Sequence, residues 1–207
     1  VGVTANDDLM PTAYEEASTG VSSKGVTGVG STNVIGYRNT FGMFSVSAGY
    51  SQNGTSTAES ASSGEASHGS TEDIYVSMSG LIDGLTIGAG TGEDNTSATA
   101  GLDLTQMYAT YAMDAISVGV HMSESDSETA NADMDFTALG ISYAVSEDMS
   151  VSLNTSTIEY ENSTLTDQDA TGVSISYTMG SMTLSGNMNS VDNITGVAAS
   201  DRSGYSM

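Results

Sequence analysis

Nearly all the side chains in this chain that could do acid–base or metal chemistry are carboxylates. Asp and Glu number 26 against 3 Lys and Arg and 2 His, a formal net charge of −23, and there is no Cys. Carboxylates are paired at Asp7-Asp8 and Glu15-Glu16 and alternate along Glu124-Ser-Asp126-Ser-Glu128. Oxygen clusters of this kind suit hard cations, but the last run lacks the spacing of an EF-hand loop. Only loose Ca2+ or Mg2+ binding at Glu124, Asp126 and Glu128 is therefore expected, and no resident cofactor. His68 and His121 each stand without a neighbouring His or Cys, so neither a transition-metal site nor an activated nucleophile is expected. Gly28-Val-Gly30 and Gly88-Ala-Gly-Thr-Gly92 are not followed by a helical pattern, so they read as turn or strand glycines and not as phosphate cradles. With so few basic residues no nucleic-acid partner is expected. The sequence does not read as an enzyme.

The elements that must position these groups are all strands. Phe44, Val46, Ala48 and Tyr50 alternate with Ser45, Ser47, Gly49 and Ser51, and Val173, Ile175 and Tyr177 alternate with Ser174 and Ser176. The same period of two runs through Leu85–Gly90, Ile116–Met122 and Met149–Asn154, and helical spacing wins nowhere. The pattern predicts strands near 32–39, 43–52, 73–79, 84–91, 103–112, 115–123, 135–145, 148–158, 171–179 and 181–190, with another starting near 202. Short turns at 40–42, 80–83, 113–114, 146–147 and 180 alternate with long polar connections at 53–72, 92–102, 124–134, 159–170 and 191–201. Most of the acid is expected in the long connections, including Glu59, Glu65, Glu93, Asp94, Glu159, Glu161, Asp167 and Asp192.

Tight turns on one rim and long polar loops on the other are what a membrane-spanning up-and-down barrel requires. The polar strand faces carry Ser, Thr, Gly and Asn with almost no charge, whereas a soluble sheet guards its wet face and edges with Lys and Glu. Ser47, Gln106, Tyr108, His121 and Asn154 fall on that polar face and are expected to line a water-filled lumen. Tyr37, Phe44, Tyr111, Tyr143 and Tyr177 fall on the apolar face near the short turns, where they would form an aromatic girdle at one membrane interface. A sheet in lipid must close to satisfy its backbone, and the about ten or eleven strands here suggest that further strands complete the barrel. Val1-Gly-Val-Thr-Ala-Asn shows neither a basic nor an apolar leader pattern. Gly204-Tyr-Ser-Met207 reads as a strand just begun. The chain is thus expected to be a piece of a longer protein.

The segments Thr32-Asn-Val-Ile-Gly-Tyr-Arg-Asn-Thr-Phe-Gly-Met-Phe-Ser-Val-Ser-Ala-Gly-Tyr50, Tyr108-Ala-Thr-Tyr-Ala-Met-Asp-Ala-Ile-Ser-Val-Gly-Val120 and Gly172-Val-Ser-Ile-Ser-Tyr-Thr-Met-Gly-Ser-Met-Thr-Leu-Ser185 resemble hairpins of general porins from the outer membrane of marine alphaproteobacteria. The likeness covers essentially the whole chain through soft patterns. It implies a closed barrel of about 16 strands, usually a homotrimer, with its third extracellular loop folded inward. Counting strands back from residue 202 places residues 1–31 at that constriction loop and 32–207 in the barrel wall. Asp7, Asp8, Glu15, Glu16 and Lys24, with Arg38 on the next strand, would then shape the constriction. The family's usual basic wall and terminal aromatic residue are not seen in this sequence.

The expected function is passive diffusion of small hydrophilic solutes and ions through a weakly cation-selective channel. Its surroundings would be outer-membrane lipid and lipopolysaccharide. The competing reading is an acidic, β-rich surface adhesin or binding protein without a pore, which would not need detergent. A barrel lipase or protease would need a Ser/His or Asp/His pair at one site, and His121 offers no such partner in the sequence.

Overall fold

The computed structural model describes residues 34–52, 70–95 and 101–207. Eleven strands follow one another: β1 (Val34–Phe41), β2 (Phe44–Gln52), β3 (Ser70–Ser79), β4 (Leu85–Asp94), β5 (Leu102–Met113), β6 (Ile116–Ser127), β7 (Met134–Ser146), β8 (Met149–Tyr160), β9 (Gln168–Met179), β10 (Met182–Asp192) and β11 (Arg202–Ser206). Each pairs antiparallel with the next in a single sheet, in sequence order from β1 to β11. The sheet is open: β1 and β11 do not pair with each other. The all-β meander expected from the alternation is therefore what forms. No helix among the described residues is long and apolar enough to cross a membrane.

Three of the short turns begin one or two residues later than the hydrophobic pattern suggested, and those at 80 and 180 begin where expected. Two-residue loops join β1 to β2 at Gly42-Met43, β5 to β6 at Asp114-Ala115 and β9 to β10 at Gly180-Ser181. In each, only the first loop residue has positive φ (Gly42 61°, Asp114 51°, Gly180 60°). This is the φ pattern of a type II′ turn, whose twist matches that of the flanking strands. At β7–β8 the register shifts between Ala144 and Ser146, so the turn begins after an irregular step.

The larger correction concerns the other rim. The strands run further toward the long connections than expected. β5 to β9 are 12 or 13 residues long, while about 9–11 tilted residues suffice to cross a bilayer. Glu93, Asp94, Glu124, Asp126, Glu159 and Asp192, expected in loops, are strand residues. Alternation of apolar residues stops at the edge of the hydrocarbon, but backbone pairing does not. The period-2 signal therefore ended before the strands did. Glu128, Glu161 and Asp167 do lie in connections, and Glu59, Glu65 and His68 lie outside the described residues.

Burial is inverted relative to a water-soluble sheet. Residues directly opposite across strands share a face, so the register sorts every side chain. One face carries Val46, Ile74, Val76, Ile87, Met107, Val118, Leu139, Ile141, Leu153, Val173, Ile175 and Leu184. Its large side chains are exposed, Leu139 at 51% and Ile175 at 43%. The opposite face is the buried one, and it is polar: Ser47, Ser51, Ser152, Ser174, Asn187 and Asn189 are all buried. A stable protein leaves a continuous apolar sheet face uncovered only where lipid or another protein covers it.

Candidate functional site

The polar face is the part of the sheet able to handle a hydrophilic solute. Ser47, Gln106, His121 and Asn154 are buried there and Tyr108 is half-buried, so the structure puts all five residues expected on it on one face. Tyr108 stands directly opposite His121 across β5 and β6, and His121 meets the Phe136 ring edge-on at a centroid distance of 5.5 Å. Phe136, Ala138 and Ile158 form a small buried apolar cluster beside it. Alternation alone could not separate that cluster from the lipid-facing residues, because the polar face was expected to be polar throughout. Arg38 lies on the same face opposite Ser47, toward the short-turn end of β1. Asp7, Asp8, Glu15, Glu16 and Lys24 lie outside the described residues, as does the whole proposed loop of residues 1–31.

Sequence reasoning missed a feature of β4. Gly88, Gly90 and Gly92 occupy successive polar-face positions, leaving a floor without side chains between β3 and β5. Tyr75 from β3 and Tyr108 from β5 fold over it. Their hydroxyls hydrogen-bond to each other, and their rings are nearly parallel, with planes 10° apart. A Cβ on Gly88 would fall 2.4 Å from Tyr108 Cε1 and 2.7 Å from the Tyr75 hydroxyl. The signal was in the sequence as Gly88-Ala-Gly-Thr-Gly92, but its use depends on which side chains the register brings across it.

The apolar face has two ends of different chemistry. Toward the short turns, Phe44, Tyr111, Tyr143 and Tyr177 stand in the last steps of their strands, with Phe41 opposite Phe44. Tyr37 is on the same face but deeper, because β1 runs on to Phe41. Toward the long connections the face turns acidic. Glu72, Glu93, Asp103 and Asp126 are directly opposite one another across β3 to β6, and Glu124, Asp135 and Glu159 do the same across β6 to β8. Like charges so placed repel, and such a row is tolerable only where water and salt screen it. The acidic belt therefore marks where the sheet leaves hydrocarbon. No group of three or more His, Asp or Glu among the described residues, Glu124, Asp126 and Glu128 included, is placed to hold a metal ion.

That repulsion makes a prediction. Asp103→Asn should stabilise the folded protein by about 0.2–1 kcal/mol in low salt. The gain should shrink above about 0.1 M salt, where the Debye length falls below about 10 Å. Urea unfolding in lipid vesicles at two ionic strengths reads it, and a loss of stability at low salt would contradict the repulsion.

A single antiparallel meander with an exposed apolar face, a buried polar face, short turns on one rim and a charged belt near the other defines a transmembrane β-barrel wall. The Gram-negative porin family model matches residues 2–160, and the chain belongs to that family, an outer-membrane β-barrel class. Solved structures with a similar fold agree. The anion-selective porin from Comamonas acidovorans has a TM-score of 0.67 at 14% identity, over 83% of this chain and 57% of that one. A further porin structure has a TM-score of 0.60 at 14% identity, over 75% and 55%. The trimer form of OmpT, an outer membrane protein of Vibrio cholerae, has a TM-score of 0.56 at 16% identity, over 99% and 69%. This chain thus spans a little over half the length of the first two porins. No curated protein matches its sequence.

Proposed function

We propose that this chain supplies much of the wall of a water-filled channel through which small hydrophilic solutes and ions cross the outer membrane by passive diffusion. The observation that carries this reading is the inverted burial: Ser174 is 1% exposed on the polar face while its neighbour Ile175 is 43% exposed on the other. A surface adhesin would need the opposite arrangement. Reconstituted into planar bilayers, the whole protein should give discrete conductance steps. A protein that stays folded without detergent and gives no steps overturns the reading.

The finer parts of the proposal rest on charge and on strand counting. With 26 acidic residues against 3 basic ones, the channel favours cations weakly. The preference fades as ionic strength rises, because exposed carboxylates act through screened water. A reversal potential in a potassium chloride gradient tests it, and anion preference, as in the anion-selective porin from Comamonas acidovorans, would contradict it. Residues 1–31 fold inward as the constriction. Deleting 7–16 should then raise single-channel conductance, and an unchanged conductance would return the segment to the outside. The assembly is a homotrimer, a reading supported by the trimer form of the Vibrio cholerae protein.

A further inference from the structure

With no Cys and no Trp, the side chains of this chain most open to one-electron oxidation are its 10 Tyr. Its Met residues take up an oxygen atom instead. Among the described residues one pair of tyrosine rings is in contact. Tyr75 of β3 and Tyr108 of β5 reach toward each other across β4, with centroids 6.1 Å apart and planes 10° from parallel. Their hydroxyls are hydrogen-bonded to each other, so the phenol ends are what meet. Both side chains are half-buried on the polar face, where a water-borne reagent has access to them.

This contact is suited to one reaction. The carbon ortho to each hydroxyl, a Cε, is only two bonds from the oxygen that makes the hydrogen bond. Loss of one electron and one proton from each phenol leaves two phenoxyl radicals, whose unpaired electrons lie partly on those ortho carbons. The two carbons join in one carbon–carbon bond, and the ring hydrogens at the joined carbons move to the oxygens. In the product, dityrosine, the two hydroxyls stand side by side, as they already do here. Overall two electrons and two protons leave, taken up by two equivalents of a one-electron oxidant. Gly88 keeps the meeting place open. A Cβ there would fall 2.4 Å from Tyr108 Cε1, one of that ring's two ortho carbons, and 2.7 Å from the Tyr75 hydroxyl.

We propose that Tyr75 and Tyr108 form a site of oxidative modification, at which a peroxide-derived one-electron oxidant joins them as dityrosine. The bond ties β3 to β5 over β4, across a sequence separation of 33 residues. It constrains the unfolded chain as a disulfide over the same interval would, in a chain that has no Cys to make one. The site needs the pairing of β3, β4 and β5 but not conduction. A failure of the channel reading in planar bilayers therefore leaves it standing, and its own failure leaves the channel reading untouched.

The test uses the whole protein folded in detergent, exposed briefly to light with tris(bipyridine)ruthenium and persulfate, which generate a small one-electron oxidant. Dityrosine fluorescence should appear while the chain still migrates as a single molecule. Mass spectrometry of proteolytic fragments should find the segments holding Tyr75 and Tyr108 linked, two hydrogen atoms lighter than their sum. Because folding holds the rings together, the yield of this link should exceed that from urea-unfolded protein by roughly tenfold. Tyr75→Phe should remove the link, and Tyr111→Phe, on the apolar face of β5, should keep it. Gly88→Ala retains both phenols and meets only side chains that can swing aside, so it should fold yet lower the yield several-fold. The linked wild type should melt at a higher temperature than before treatment, a gain that treated Tyr75→Phe lacks. A yield no greater than in the unfolded chain, links that pass over this pair for other tyrosines, or a link formed only between molecules overturns the proposal.

Discussion

Ile175→Arg is expected to cost about 2–4 kcal/mol of folding stability in a bilayer, while Ser176→Asp, one residue along the same strand, should cost little. Ile175 lies between Val151 of β8 and Gly186 of β10 on the apolar face. It sits in the middle of a strand whose apolar face runs from Val173 to Met179. A guanidinium there must either enter hydrocarbon or drag its neighbours toward water. Ser176 sits opposite Ser150 and Ser185 on the polar face, where an added carboxylate keeps access to water. Urea titration of protein folded into lipid vesicles measures both. Equal destabilisation by the two substitutions would mean that the faces are assigned wrongly, and with them the lumen.

That pair of neighbours also explains how much was legible beforehand. The alternation of Val173, Ile175 and Tyr177 with Ser174 and Ser176 gave the strand, its two faces and the pairing with β8 and β10, because a one-residue slip would exchange the faces. It could not give the strand's upper end. Gln168, Asp169 and Ala170 show no apolar alternation, yet they are paired strand residues. The acidic row of Glu72, Glu93, Asp103 and Asp126 was hidden for the same reason: each residue is unremarkable in its own segment, and only the register sets the four side by side.

The candidate site was legible in kind but not in detail. Gln106, Tyr108 and His121 could be assigned to a face by counting in twos. That Tyr75 and Tyr108 join hydroxyls over Gly88, or that Asp73 meets no counter-charge among the described residues, depends on three strands meeting in one register. Those contacts all lie within β2 to β5.

The second large effect is expected at Gly84, in the connection between β3 and β4. Its φ is +78°, a conformation that costs a residue with a Cβ about 1–2 kcal/mol. Space makes the demand stricter: a Cβ on Gly84 would lie 1.9 Å from the backbone oxygen of Ala112. That oxygen cannot rotate away as a side chain would, because Ala112 is also held by its N–H donating to the Gly84 carbonyl at 2.9 Å. Gly84→Ala must therefore push the turn off β5 and lose that hydrogen bond, worth about 0.5–1.5 kcal/mol. Together these give about 1.5–3.5 kcal/mol. Gly42 and Gly180 provide the control, with φ of +61° and +60° and nothing within 4 Å of the added Cβ. Alanine there should cost only the backbone term, and Asn should be nearly free, since Asp114 already holds the equivalent place in the β5–β6 turn at φ 51°. Equilibrium unfolding of the three alanine variants separates conformational strain from collision. If Gly84→Ala is no worse than Gly42→Ala, the turn yields, and the closeness of Gly84 to Ala112 does not constrain the fold.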